Sequence, residues 1–372
     1  MMDINKSIIE MFCEGFKDKI NENEDFNEFV SSFTKEQIEK IYKLNATIND
    51  NSEELGHIWS LSTHPKKVIV EDFKKNIKEI YSNILMNSPE YIIDQLEHYL
   101  KIYKNELLII DTSSLKLSLH FIEFLHNYNL AKVKYLKSDN KLYIYTPLEL
   151  RKVLNEILKN KTLKIKCKEN SKYKRNIHNI IATYGILSIK ELSKIYNKIY
   201  DKTDPREITN RIITNYAFDN EISLVSTDEG YLAYGVGFED EDDALSFYYS
   251  LPENINYKIY TKEEYEEIGE GTYHQKFEEF NKIYLFLENI FDMDEEEIYK
   301  FDDTFVLDYM FTYQMDSDAA KRNLSINLNK IFGEMNISDR AFLSRTILSL
   351  AKKYPNFNYK GYSFNDYNKM NK

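Results

Sequence analysis

Hydrophobic residues recur at helical spacing through most of this chain. Between residues 88 and 104, for example, Ile92, Ile93, Leu96 and Leu100 lie three or four positions apart and would share one face of a helix. The same spacing predicts further helices at residues 5–16, 34–44, 70–87, 114–128, 174–184, 189–200, 204–216, 239–251, 277–291, 305–313, 318–332 and 338–352. We therefore expect a mainly helical protein.

Polar residues mark where several of these helices begin or end. Residues 34–37 and 261–264 have the Thr-x-x-Gln or Thr-x-x-Glu spacing of a capping box. Ser88 followed by Pro89 predicts a helix start with Ser88 as the N-cap. Gly185 predicts a left-handed residue that ends the helix before it.

Two predicted hairpins interrupt the helical pattern. The first spans residues 131–145 around a Ser-Asp-Asn turn, and the second spans residues 222–234 around Asp-Glu-Gly. A short predicted strand, at residues 107–110 or 186–188, and at least one helix precede each hairpin. This order is typical of a winged helix. The predicted fold class is therefore mainly α with small β-hairpins (α+β), with tandem winged-helix-like modules followed by a C-terminal helical bundle.

The pattern divides the 372 residues into four predicted regions. They are an N-terminal helical region at 1–87, a winged-helix-like module at 88–160, a second such module at 161–237, and an acidic C-terminal helical domain at 238–372.

Composition narrows the class of protein. Only 10 Gly and 6 Pro, beside 30 Tyr and 22 Phe, favour long helices over a β-sandwich or a glycine-dependent nucleotide-binding fold. Cys13 and Cys167 can form neither a disulfide framework nor a Cys-x-x-Cys zinc pair. No run approaches the ~20 apolar residues that a membrane span needs. We expect a cytoplasmic protein with no membrane partner and no cofactor.

Charge is unevenly distributed along the chain, whose net charge is −12. Residues 131–180 hold fourteen basic and four acidic residues, whereas residues 219–318 hold five basic and twenty-eight acidic ones. One interpretation is two solvated surfaces of opposite sign. The other is that the basic residues bind phosphates. These residues lie in the first wing and in a segment between two predicted helices. The candidate nucleic-acid-binding residues are Lys132, Lys134, Lys137, Lys141, Lys159, Lys161, Lys164, Lys166, Lys168, Lys172, Lys174 and Arg175.

Histidines offer few candidates for metal binding. His120, Glu123 and His126 lie three positions apart on a predicted helix, where packing or surface exposure is the favoured interpretation. His57 and His64 flank the single tryptophan, and loop packing is favoured there too.

Other chemical motifs also have simple structural interpretations. The carboxylates at 239–243 and 292–297 lack the spacing of an EF-hand and are expected at helix starts. The Gly-x-Gly segments at 235–237 and 269–271 are predicted turns. No catalytic motif with the required spacing is present, so we expect no enzymatic activity.

Two segments resemble a known family. Residues 180–196, which contain Tyr-Gly-Ile-Leu-Ser, are similar to a YG-x-hydrophobic-S-x-x-x-L-x-x-x-Y segment, and residues 357–367 are similar to a W-x-x-K-G-x-T-P-x-E-L ending. Both patterns are those of uncharacterised proteins from low-GC Gram-positive bacteria related to SEC-C-motif-containing proteins. Here Phe357 replaces Trp, Phe364 replaces Pro, and the cysteine-rich SEC-C tail is lacking. The resemblance thus implies no zinc function and little about mechanism.

Two function classes remain. The first is a non-enzymatic nucleic-acid-associated or regulatory protein that binds DNA or RNA through the basic stretch at residues 132–175. The second is a protein–protein interaction scaffold or adaptor whose acidic C-terminal bundle binds a basic partner. Because Asp228 and Glu229 occupy the second wing turn, that module is poorly suited to DNA. Fold analogy alone does not decide between the classes.

Overall fold

Helices account for most of the chain, which confirms the prediction of a mainly helical protein. The structure, a computed structural model, describes residues 11–21, 23–48, 63–216, 222–235, 237–333 and 335–370. The chain divides into two compact units. Unit 1 comprises residues 1–174 and 210–220, and unit 2 comprises residues 175–209 and 221–372. The predicted division into four regions stays a prediction.

Unit 1 combines helices with one small antiparallel sheet. Its elements are α1 (Phe26–Ser32), α2 (Lys35–Ile48), α3 (Lys66–Asn87), α4 (Glu90–Ile102), β1 (Leu107–Asp111), α5 (Leu119–Asn127), β2 (Lys132–Leu136), β3 (Lys141–Tyr145), α6 (Leu148–Leu158) and the first part of α7 (Lys161–Tyr184). Aromatic rings lie at the centre of its core, where Phe73 makes edge-on contacts with Phe33, Tyr42 and Tyr81.

The first predicted hairpin is confirmed as β2 and β3, and β1 pairs with β3 to give the order β1–β3–β2. The N-terminal segment lies along the outer edge of β2: the Asp18 amide donates to the Val133 carbonyl at 3.2 Å, and the Tyr135 amide donates to the Phe16 carbonyl at 3.0 Å. An isolated bridge pairs Lys17 with Lys134. These contacts satisfy backbone groups that an open edge strand would expose.

Unit 2 contains the second hairpin and the C-terminal helices. After the end of α7 its elements are β4 (Ile186–Ser188), α8 (Ile189–Ile199), α9 (Pro205–Tyr216, whose residues from 210 belong to unit 1), β5 (Ile222–Thr227), β6 (Gly230–Gly235), α10 (Glu241–Ser250), α11 (Lys262–Gly269), α12 (Glu278–Phe291), α13 (Glu295–Phe301), a π-helix (Asp302–Val306), α14 (Leu307–Met315), α15 (Ser317–Phe332), α16 (Ile337–Ala351) and α17 (Phe364–Met370). Its sheet has the order β4–β6–β5, with both pairings antiparallel.

Several predicted helix ends are confirmed by hydrogen bonds. In the first capping box, the Gln37 amide donates to Thr34 Oγ1 at 3.1 Å and the Thr34 amide donates to Gln37 Oε1 at 2.7 Å. The capping box at Thr261 and Glu264 has the same two bonds. Gly185 has a φ of 75° and its amide donates to the Ile181 carbonyl, as expected of a left-handed C-cap.

The sequence analysis predicted that the densest part of the basic stretch lies between two helices. This prediction is wrong, because that part lies within helix α7. Helix α7 begins at Lys161 rather than near residue 174. Leu163 and Cys167, four positions apart, are each 1% exposed, so one face of this segment is buried. Lysine and glutamate favour helices almost as well as leucine, so the charged residues between them continue the helix.

The helix predicted at residues 88–104 is confirmed as α4, but the N-cap predicted at Ser88 and the helix start predicted at residue 114 are wrong. Pro89 precedes α4 without a side-chain cap, and the Glu90 amide donates instead to Ser171 Oγ at 2.7 Å. The Ser88 hydroxyl donates to the Leu85 carbonyl of the preceding helix instead of capping α4. The helix predicted at 114–128 starts at Leu119, capped by Ser118, after a short 3₁₀ turn at Thr112–Ser114.

The two segments that carry the family resemblance pack against each other in unit 2. A methyl group at Gly185 would come within 2.7 Å of the Phe357 ring, and one at Gly361 within 2.5 Å of the Tyr184 ring. Gly361 has a φ of 84°, and its carbonyl accepts a hydrogen bond from Tyr260 Oη at 2.7 Å. Each glycine therefore lies directly beneath an aromatic ring of the other segment.

None of the described helices has the length and hydrophobicity that crossing a bilayer requires.

Gly185→Ala should strongly destabilise the protein, because the new methyl group meets the Phe357 ring. The control is the same substitution in a Phe357→Ala background, measured against Phe357→Ala alone, because the ring that the methyl group meets is then absent. We expect Gly185→Ala to lower the free energy of unfolding by about 1–3 kcal/mol more than the control. Urea unfolding measures both, and equal losses would contradict the packing described here.

Candidate nucleic-acid interface

Helix α7 places four of the candidate residues on one exposed face. Their positions, at i, i+3, i+7 and i+11, fall within an arc of about 80° around the helix axis. All four side chains are exposed, whereas Leu163 and Cys167 on the opposite side are buried. We call this set the α7 lysine row; it consists of Lys161, Lys164, Lys168 and Lys172.

The remaining cations in and near α7 are placed differently. Lys166 is exposed but lies about 140° around the helix from Lys161. Lys174 is half-buried, and Lys159 is exposed at the C-terminal end of α6. Arg175 is exposed and is the first residue of unit 2.

One member of the row already has an acidic neighbour. Lys164 Nζ lies 2.6 Å from Glu97 Oε1 of α4. This hydrogen bond raises the pKa of Lys164 above its ordinary value, with further support from the charges of Glu97 and Asp94. No ion pair joins Lys161, Lys168 or Lys172 to any residue in the described ranges. Within those ranges the row therefore offers three cations without an acidic partner and one shared with carboxylates.

The lysines of the first hairpin are not equally available. Lys132 Nζ lies 2.5 Å from Glu24 Oε1, and the two side chains are only 12% and 9% exposed. Lys137 pairs with Glu14 at the same distance, but these side chains are 71% and 49% exposed. Lys134 is half-buried on β2, and Lys141 is exposed on β3. Lys132 is thus largely withdrawn from solvent and held by Glu24, so it is poorly available to phosphates.

Of the two predicted helical histidine candidates, His120 lies at the surface and His126 packs against a neighbouring ring. His120 Nδ1 is 4.0 Å from Glu123 Oε2 at the surface. His126 Nε2 is 3.3 Å from Asp18 Oδ2, and the His126 ring packs edge-on against Phe16. Among the described residues, no three His, Cys, Asp or Glu side chains gather as a metal site would require.

His57 and the neighbouring tryptophan lie outside the described residues, and His64 is exposed.

The acidic segments begin helices, as predicted. Asp240 accepts a hydrogen bond from the Asp243 amide at 2.9 Å at the start of α10. Asp294 and Glu297 form a capping box at the start of α13. Carboxylates in these places satisfy free amides and interact favourably with the helix dipole.

The sequence analysis missed a buried polar pair in unit 2. His274 Nε2 and Asp302 Oδ1 are 2.7 Å apart, and the two side chains are 0% and 2% exposed. The residues are 28 positions apart and Asp302 begins the π-helix. No local pattern in the sequence could have brought them together.

The two ion pairs at 2.5 Å should differ in their contribution to stability. Glu24→Ala leaves Lys132, whose side chain is only 12% exposed, without its partner and should cost about 3–5 kcal/mol of unfolding free energy. Glu14→Ala breaks the exposed pair with Lys137 and should change stability little. The unfolding free energies of both variants are measured by guanidinium titration. Similar losses of free energy in the two variants would contradict the prediction that the less exposed pair contributes more.

The contact between His126 and Asp18 should make stability depend on pH. Hydrogen bonding to Asp18 raises the pKa of His126, partly offset by burial. Its stabilisation is therefore complete below the unfolded pKa of about 6.5 and is lost as pH rises through the folded value. We expect Asp18→Asn, which keeps an oxygen for the Val133 amide, to be more destabilising at pH 5.5 than at pH 8.5 in urea titrations. A difference between wild type and Asp18→Asn that is constant with pH would contradict this account.

Comparison with known proteins gives no family assignment: no protein-family model, curated protein or solved structure matches this chain.

Proposed function

We propose that this chain is a non-enzymatic nucleic-acid-associated protein and that the α7 lysine row is its phosphate contact. The observation that carries the proposal is the position of Lys161, Lys164, Lys168 and Lys172 on one exposed face of a long helix. Because the opposite face is buried, the helix cannot turn these ammonium groups away from solvent.

The length of the row suits a polyanion. Eleven residues of α-helix separate Lys161 from Lys172, a rise of about 17 Å. A single strand of B-DNA places a phosphate every ~3.4 Å along its axis, so the row spans about five phosphates. Lysine side chains are flexible point charges that contact phosphates without fixed geometry. We therefore expect binding without strong sequence preference.

The net charge of −12 limits the strength of this contact. Charges separated by more than about 8 Å are largely screened at physiological ionic strength, so the local row governs the encounter more than the distant carboxylates. Glu97 and Asp94, next to Lys164, are close enough to reduce its contribution. The expected affinity is modest and strongly dependent on salt.

The second module supports a regulatory role more than a second nucleic-acid contact. The described elements of this module, predicted at residues 161–237, are α7, β4, α8, α9, β5 and β6, with sheet order β4–β6–β5, and we propose that they form a winged helix. Its hairpin turn carries Asp228 and Glu229, which would repel phosphates. In unit 1, only α5 and a 3₁₀ turn lie between β1 and β2, so the proposal of a winged helix is weaker there.

Salt dependence tests the proposed interface. Replacement of all four lysines of the row by Gln keeps helix propensity and removes four charges. Binding to fluorescein-labelled 20-nucleotide DNA and RNA, followed by anisotropy, should weaken for every sequence. The slope of log K against log salt should fall by about three.

A matched variant controls for the change in net charge. Lys67, Lys75, Lys101 and Lys116 are exposed lysines of unit 1 outside the row, and their replacement by Gln should leave binding nearly unchanged. Equal weakening by the two quadruple variants, or no binding by the wild type at low salt, would reject the proposed interface.

The scaffold alternative has its own supporting observation in unit 2. The Phe291 and Phe332 rings, 4.5 Å apart, join the ends of α12 and α15. Beside them Ile290 and Ile331 are 53% and 48% exposed. Exposed apolar side chains in an acidic region suit a basic amphipathic partner. Retention of a basic protein after nuclease treatment, lost in Ile290→Ser/Ile331→Ser, would favour this function.

A further inference from the structure

Unit 2 contains a cleft of about 540 Å³ that neither the proposed interface nor the sequence motifs account for. This volume lies within the range of small-molecule sites in proteins. We call it the unit 2 cleft; residues that line it include Ala182, Gly185, Asp303, Leu307, Asp308 and Phe311.

Four glycines belong to its lining. Both Gly-x-Gly segments contribute, through Gly235, Gly269 and Gly271. Gly185 is the fourth lining glycine, and the whole chain has ten. A side chain at Gly269 would collide with Asn179, and one at Gly271 would approach Leu307 to 3.1 Å. The segments that the sequence analysis interpreted as turns thus bring the backbone close to one shared space.

The π-helix sets the charge of the cleft. Asp302, its first residue, is fixed by His274 at 2.7 Å and by Gln275 Nε2 at 3.1 Å, and its carbonyl accepts the Leu307 amide. A π turn takes in one more residue than an α turn, so residues five apart lie nearly above one another. In an α-helix they would be about 140° apart. Asp303 and Asp308 therefore reach the same cleft.

The cleft combines these two carboxylates with apolar walls. Leu307, Met310 and Phe311 supply the hydrocarbon and aromatic surface, and both aspartates are exposed. His178 and Tyr354 are further titratable residues of the lining, and no Lys or Arg is among the described residues that form it.

We infer that the unit 2 cleft binds a small organic cation, a protonated amine or guanidinium carried on an apolar body. The charged group would lie between Asp303 and Asp308, and the apolar body would contact Leu307 and Phe311. Such a cation could come from a free metabolite or from an Arg or Lys side chain of another protein. The inference is independent of the α7 lysine row, which lies in unit 1.

Calorimetric titration of the intact protein tests this inference. The probes are tryptamine, phenethylamine and agmatine as free cations, indole as an uncharged body, and the peptide acetyl-Ala-Arg-Ala-amide as a protein side chain. At least one of the cations should bind. If tryptamine binds, indole, which lacks the ammonium group, should bind at least about tenfold more weakly. Tighter binding of the peptide than of the free cations would identify a protein side chain as the source.

Two variants localise the binding. Asp303→Asn/Asp308→Asn removes the charges and should weaken binding at least about tenfold. Ala182→Phe should fill the cleft and abolish binding. The matched control is Glu296→Gln, which removes an exposed carboxylate of α13 outside the lining and should leave affinity unchanged.

Unchanged affinity in the double aspartate variant would overturn the inference even if Ala182→Phe failed to fold. So would the absence of binding by every cation and by the peptide at concentrations up to about 1 mM.

Discussion

Burial of one stripe along α7 is the constraint on which the rest of the structure depends. In unit 1, Leu163 and Cys167 hold the helix against its core, where Cys167 Sγ donates to the Leu85 carbonyl at 2.8 Å. Burial raises the pKa of this thiol to about 12, so the cysteine packs as a neutral group. With that face fixed, the opposite face must carry Lys161, Lys168 and Lys172 into solvent. Further along the helix, in unit 2, Ile181 is buried and Ala182 lines the cleft.

Charge counting along a sequence identifies such a surface only in part. Lys132 and Lys137 belong to the same basic run and have acidic partners at the same distance. The environment separates them, because a buried pair loses a large hydration energy that only its partner offsets, whereas an exposed pair gains and loses little. Glu24 lies 108 residues before Lys132, so nothing near that lysine in the sequence indicates its burial. The helical row could be found from spacing alone, once the start of α7 was known.

Patterns of residues a few positions apart predicted most helices and hairpins. The features that were missed involve contacts between residues distant in the sequence. Capping boxes at Thr34 and Thr261, the C-cap at Gly185 and both hairpins depend on residues a few positions apart, which is why the sequence was sufficient for them. The start of α4 depends on Ser171, 81 residues away, which supplies the acceptor for the Glu90 amide. Asp302, the first residue of the π-helix, similarly bonds to His274, 28 residues away. A periodicity of 3.6 residues carries no information about either contact.

The abundance of tyrosine also has a structural explanation in unit 2. The Tyr265 ring packs edge-on against Tyr260 and at a tilt against Tyr184, and the Tyr184 hydroxyl bonds to the Tyr265 hydroxyl. Burial raises the pKa of Tyr265 to about 12, and the hydroxyls stay neutral. Tyrosine suits this core because its ring fills volume while its hydroxyl satisfies a carbonyl, as Tyr260 does at Gly361. These three rings, used in this way, are unavailable to stack on bases.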